Sequence, residues 1–251
     1  MRRRDILKAF LFSSSTLSVP LGKAQPVAEL IEESENHSQF FRSNWSRVPE
    51  KTCDSDVLLP QSSGDWCIRD GELLCLVQTP NRLVNLKTHE LSSEAKPFCA
   101  EMVLRFMNAP TAIMSVENLA GISFGSVNKL DDSDKEIIVG LTRGGHLFIG
   151  KTTSDKSVGE SILKEKIRLV LTVIPQAAGG CFAKLKALDH AGNTLNTLSS
   201  REYQSSEWHG SIGMLSHFTG NGLNGESPSV AISKIEISGE KLQHHSGFEG
   251  G

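Results

Sequence analysis

The chain has 251 residues, 38% hydrophobic and 22% charged, with 22 glycines, nine prolines and a formal charge of −3. That length permits one large β-sandwich or two small domains, and the composition excludes both a disordered chain and an integral membrane protein. Mild acidity without a basic stripe argues against sequence-independent nucleic-acid binding, which needs clustered Lys and Arg to displace counterions from phosphates.

Residues 1–24 read as a signal segment. Arg2-Arg3-Arg4-Asp5-Ile6-Leu7-Lys8 is a charged n-region, Ala9 to Leu21 is a short apolar stretch, and Gly22-Lys23-Ala24 offers small residues where a signal peptidase reads. The apolar stretch is too short to span a bilayer as a stable helix. Arg3-Arg4-Asp5-Ile6-Leu7-Lys8 resembles the bacterial twin-arginine consensus, the alternative being a Sec signal that begins with arginines. Export to the periplasm or the cell exterior is expected, with no stable membrane anchor after cleavage, because no cysteine lies near the cleavage point for a lipoprotein. Removing residues 1–24 leaves the mature part at −7.

Residues 25–43 are polar and acidic, with Glu29, Glu32, Glu33 and Glu35, and read as a linker. From Asn44 onward short β-patterned runs alternate with turn clusters, the spacing of a sandwich. Phe98 to Phe106 is the clearest strand: Phe98, Ala100, Met102, Leu104 and Phe106 share one face, Glu101 and Arg105 the other. Glu136 to Leu141 and His146 to Gly150 make further strands, joined by Arg143-Gly144-Gly145 as a tight turn requires. Gly159 to Lys166 is the only helical candidate, and it runs straight into a strand. Ile167 to Val173 and Cys181 to Ala187 alternate in the same way across a Pro175 to Gly180 connection, and Val230 to Ile237 closes the series. The fold class is all-β, with two stacked antiparallel sheets.

Several segments follow one order: Asn44-Trp45, Gly64-Asp65-Trp66, Asp70-Gly71-Glu72-Leu73, Arg82 to Leu91, Ala120 to Gly125, Gly144 to Gly150, Gly210 to Phe218 and Ile235 to Gly239. This series resembles the concanavalin A-like, laminin G-like jelly-roll domains of exported bacterial proteins, over residues 44–240. It is also similar to the region preceding the metallophosphatase domain of alkaline phosphatase D-like proteins exported by the twin-arginine route. That resemblance implies a hydrolase partner and makes residues 241–251 a tail leading toward a further domain. Because twin-arginine substrates usually fold before export, it also favours buried thiols over a structural disulfide for Cys53, Cys67, Cys75, Cys99 and Cys181, whose spacings do not match a zinc site.

Jelly rolls of this class include glycoside hydrolases, which need two carboxylates facing one glycosidic bond. No strand carries alternating acids, Glu33-Ser34-Glu35 lies in the linker, and Glu236 stands alone, so no catalytic residue is assigned. Gly-Asp-x-x-Asp and Gly-Asn-His-Glu phosphatase signatures and the Gly-x-Ser-x-Gly elbow are missing. Asp131, Asp132 and Asp134, with Glu136, offer oxygen ligands for a structural calcium ion, against the simpler reading of a solvated turn. Trp208, His209, Trp66 and His146 are the candidate ligand site: indole faces stack on sugar rings while imidazoles bond hydroxyls, against the simpler reading of core residues. The leading expectation is a non-catalytic, glycan-binding or accessory module. The alternatives are the front part of a phosphodiesterase and a structural surface protein.

Overall fold

A computed structural model describes residues 39–45, 51–52, 57–62, 64–107, 118–125, 136–159, 162–219 and 228–244. The signal segment, most of the linker, Cys53 and the candidate calcium residues Asp131, Asp132 and Asp134 lie outside the described residues.

The chain runs through β1 (Phe40–Arg42), β2 (Lys51–Thr52), β3 (Leu58–Pro60), β4 (Trp66–Arg69), β5 (Glu72–Cys75), β6 (Arg82–Leu91), β7 (Phe98–Phe106), β8 (Leu119–Gly125) and β9 (Ile137–Thr142). It continues through β10 (His146–Ile149), β11 (Thr152–Ser157), β12 (Ile167–Pro175), β13 (Cys181–Leu188), β14 (Thr194–Ser200), β15 (Gly210–His217), β16 (Val230–Ser238) and β17 (Leu242–His244). Short 3-10 turns occur at Ile162–Lys164 and Ser205–Glu207, and no α-helix occurs among the described residues. One sheet has the order β14-β13-β12-β7-β16-β5-β4-β2 with β1 also on β16. The other has the order β11-β10-β9-β8-β15-β6-β17 with β3 also on β6. Every pairing is antiparallel.

Alternation makes the core. On β7, Phe98, Ala100, Met102 and Leu104 stand opposite Val173, Leu171, Leu169 and Ile167 of β12, and these in turn face Ala183, Leu185 and Ala187 of β13. All are buried, and each large side chain contributes roughly 1.5–3 kcal/mol on leaving water. On β16 the register slips between Ile232 and Lys234, so Val230 and Ile232 before the bulge and Ile235 and Ile237 after it all face inward. The two sheets meet through Phe98 and Phe124, whose rings lie 5.4 Å apart. Asp70 and Gly71 both take positive φ (51° and 72°) between β4 and β5, the conformation that Asp-Gly supplies to a two-residue hairpin.

The sandwich extends beyond residues 44–240: β1 pairs with β16 ahead of Asn44, and β17 pairs with β6 after residue 240. Thr194 to Ser200 form β14, an edge strand whose polar residues hide its period. Cys75, Cys99 and Cys181 are free thiols; Cys75 and Cys181 are buried, and burial pushes both up from the ordinary thiol value. The outer face of the first sheet carries ion pairs. Glu101 takes Arg168 at 2.5 Å and Lys234 at 2.9 Å, and Glu236 takes Arg42 at 2.6 Å.

Candidate functional site

On the outer face of the second sheet, register places Leu119 of β8 beside Thr142 of β9, and Phe148 of β10 between Gly140 of β9 and Thr153 of β11. These residues, with Ile138, floor a cleft of about 500 Å³. Gly150 and Lys151, in the β10–β11 turn, form one rim, and Glu202, Tyr203 and Glu207, between β14 and β15, form a wall. Glu136, at the entrance to β9, stands on the same face. Gly121 and Gly140 pair at the centre of this face, and a Cβ on either would overlap the other strand's backbone, so β8 and β9 approach more closely than any side chain allows.

The chain's single tyrosine is fixed by what surrounds it. Its hydroxyl accepts the Lys151 backbone N–H at 3.2 Å and donates to Ile149 O at 3.5 Å. Gly150 has φ +53°, and a Cβ there would overlap Tyr203 Oη, so glycine is required both by the backbone and by the phenol. Burial pushes the phenol above its ordinary value, keeping it a neutral donor at physiological pH.

Each carboxylate of the cleft is held by one internal donor. Ser123 Oγ donates to Glu136 Oε1, Thr152 Oγ1 to Glu202 Oε2 at 2.9 Å, and the Gln204 backbone N–H to Glu207 Oε2. A carboxylate offers about four acceptor positions, so each keeps further ones for a ligand. Beside them stand Lys151, half-buried Ile138 and the edge of Phe148, 5% of which is exposed. Such a set suits a polyhydroxylated ligand with one apolar face.

The four candidate ligand residues go to different places. Trp208 is 0% exposed and packs its indole against Phe98 at 5.7 Å, Phe124 at 5.6 Å and Tyr203 at 5.8 Å, donating Nε1–H to Cys181 Sγ at 3.0 Å. Trp66, 1% exposed, is likewise in the core. Rings buried in this way present no face to a sugar, so stacking by Trp66 and Trp208 is corrected: Trp208 supports Tyr203 from beneath. His209 is exposed and donates Nδ1–H to Ser206 O at 2.6 Å, two residues beyond Glu207. His146 is half-buried, two residues from Phe148 on the same face of β10, with Nδ1–H donated to Ser154 O at 2.8 Å. Its Nε2 is thereby left as the acceptor nitrogen.

Glu202, Tyr203 and Glu207 were not singled out by sequence reading, and Glu136 appeared only as a calcium candidate. They come from segments some 66 residues apart, and no spacing connects them. The only available signal was the lone tyrosine beside Trp208. Among the described residues, no group of three or more His, Cys, Asp or Glu side chains is placed to hold a metal ion.

No family model matches the chain, and no curated protein matches it in sequence. Solved structures match it in fold. Arcelin-5, a lectin-like defense protein from Phaseolus vulgaris, superposes with TM-score 0.55 at 11% identity over 81% of this chain and 99% of its own. Lectin II from Ulex europaeus gives 0.54 at 12% identity over 80% and 97%. A Bauhinia forficata lectin in complex with GalNAc gives 0.54 at 10% identity over 80% and 99%. The fold is therefore the concanavalin A-like jelly-roll sandwich.

Proposed function

We propose that this chain is a glycan-binding module of an exported protein, and that it takes a neutral saccharide in the cleft beneath Tyr203. The observation that carries this reading is the cleft itself: fixed acceptors at Glu136, Glu202 and Glu207, a donor at Lys151, and an apolar floor of Phe148 and Ile138. The structural neighbours support it as sugar-complexed lectins, one with galactose and one with GalNAc. His146 and His209 flank the cleft as secondary contacts.

Export is part of the proposal and is supported by the Arg3-Arg4 signal segment. An accessory role beside a larger exported hydrolase, including a metallophosphatase, rests on motif order alone. Probing the full chain on an array of neutral saccharides tests the central reading. Binding that falls at least tenfold in Tyr203→Ala, with circular dichroism unchanged, supports it. No binding to any neutral saccharide removes it, and release of reducing ends from a bound saccharide would assign the same carboxylates to hydrolysis.

A further inference from the structure

The outer face of the first sheet is not uniform. Over β7, β16 and β1 its charges are paired, as the Glu101 and Glu236 contacts show. Over β13 and β14, among the described residues, they are not.

Register builds this second region as a lattice. Thr172, Lys184 and Ser199 stand side by side across the three strands, and Val170, Lys186 and Thr197 form the next row. Ile174 pairs with Phe182, and Arg201 lies over the Phe182 ring with its guanidinium 5.5 Å from the centroid. The nine residues include three cations and no carboxylate. Neither Lys184 nor Lys186 has an ion-pair partner among the described residues, and the nearest acid by register, Glu101, is already held by Arg168 and Lys234. Lys184 and Lys186 lie two residues apart on one strand, a separation of about 7 Å, with neighbouring columns about 5 Å away.

We propose that the outer face of β12, β13 and β14 binds an acidic polysaccharide, a site separate from the cleft on the other sheet. Uronate carboxylates meet Lys184, Lys186 and Arg201, and Thr172, Thr197 and Ser199 exchange hydrogen bonds with hydroxyls. Ile174, 49% exposed, and the Phe182 ring take the apolar faces of the sugar rings. The charge complementarity is local, because the chain as a whole carries −3. Three cations within an acidic molecule are a weak match for the dense phosphates of nucleic acid. One exposed isoleucine on a flat sheet gives little to insert into a lipid surface.

The test is binding of polygalacturonate to the full chain by calorimetry in 50 mM and 500 mM NaCl, with duplex DNA and phosphatidylserine vesicles as parallel probes. The expected result is binding to polygalacturonate that weakens at least tenfold in high salt. It should weaken equally in Lys184→Gln/Lys186→Gln/Arg201→Gln, while Tyr203→Ala in the cleft binds polygalacturonate like wild type. Lys186→Glu, a single change at an exposed position, gives the same readout should the triple variant fold poorly. Absence of polygalacturonate binding, equal binding by the charge variants, or tighter binding to DNA or vesicles through the same cations would overturn the proposal. None of these outcomes bears on the cleft, whose test uses neutral saccharides.

Discussion

Acid should weaken this fold through one histidine. His89 lies on β6 with 6% of its surface exposed, its ring 5.2 Å from Phe41 and 4.3 Å from His244, which stands opposite it on β17. Nδ1 shares a 2.8 Å hydrogen bond with Thr88 Oγ1, while Nε2 is buried without a partner. Among the described residues no carboxylate compensates: Glu90 accepts from Gln243, and Arg42, next to Phe41, is taken by Glu236. Burial first, and then His244, hold the imidazole down from 6.5 to about 4. The folded state therefore keeps His89 neutral at a pH where the unfolded chain has already bound a proton. Its contribution is complete above about pH 6.5, is lost as pH falls toward 4, and changes no further below that. A difference of that size is worth about 3 kcal/mol in full, and roughly 2–3 kcal/mol of it is lost between pH 7 and pH 4.5. Urea unfolding of wild type and His89→Leu at both pH values isolates this effect, because carboxylates titrate alike in both proteins. Wild type should lose that much more stability than the variant. Parallel losses would refute the reasoning.

Gly150→Ala should expel the Tyr203 hydroxyl from its place and force a side chain into positive φ, costing ~1–3 kcal/mol in thermal unfolding and abolishing saccharide binding in the cleft. Gly121→Ala should cost at least as much by the same assay without touching Tyr203, since its Cβ would overlap Val139 O on β9. Trp45, Trp66 and Trp208 are at most 4% exposed, so tryptophan emission should be blue-shifted in the native protein and unmoved by saccharide. A saccharide-dependent shift would return a tryptophan to the binding site. Glu101→Gln should cost about 1 kcal/mol by urea unfolding, because its partners Arg168 and Lys234 are 47% and 33% exposed, and 1 M NaCl should erase most of the difference.

What could be read from the sequence followed burial. β7 alternates throughout, save that Glu101 is buried too, because both its neighbours are core strands, and its ends, Phe98 and Phe106, were legible to the residue. β11 and β14 are edge strands, so Thr152–Ser157 and Thr194–Ser200 need no apolar face and show no period. β1 and β17 have three residues each, too few for any pattern to appear. The tryptophans posed a different problem, since an indole marks a core and a sugar platform equally well. Only packing decides, and Phe98, Phe124 and Tyr203 around Trp208 decide for the core. The cleft was beyond reach because Glu136, Lys151 and Tyr203 meet only after the β9, β10 and β11 hairpins fold against the β14–β15 connection.

Net charge concealed the other surface in the same way. A chain at −3 has no basic stripe in sequence, yet alternation alone places Lys184 and Lys186 on one side of β13, and the contact of Arg201 with the Phe182 ring adds a third cation. Glu136, Glu202 and Glu207 gather meanwhile on the outer face of the other sheet. Stacked sheets lie about 10 Å apart, so the two regions face opposite solvents across a filled core. A neutral saccharide bound under Tyr203 and an acidic chain bound over β13 then share no residue. Titrating one into protein saturated with the other should leave the affinity unchanged within twofold. Mutual exclusion would show that both ligands use one surface, and the division between cleft and lattice would fail.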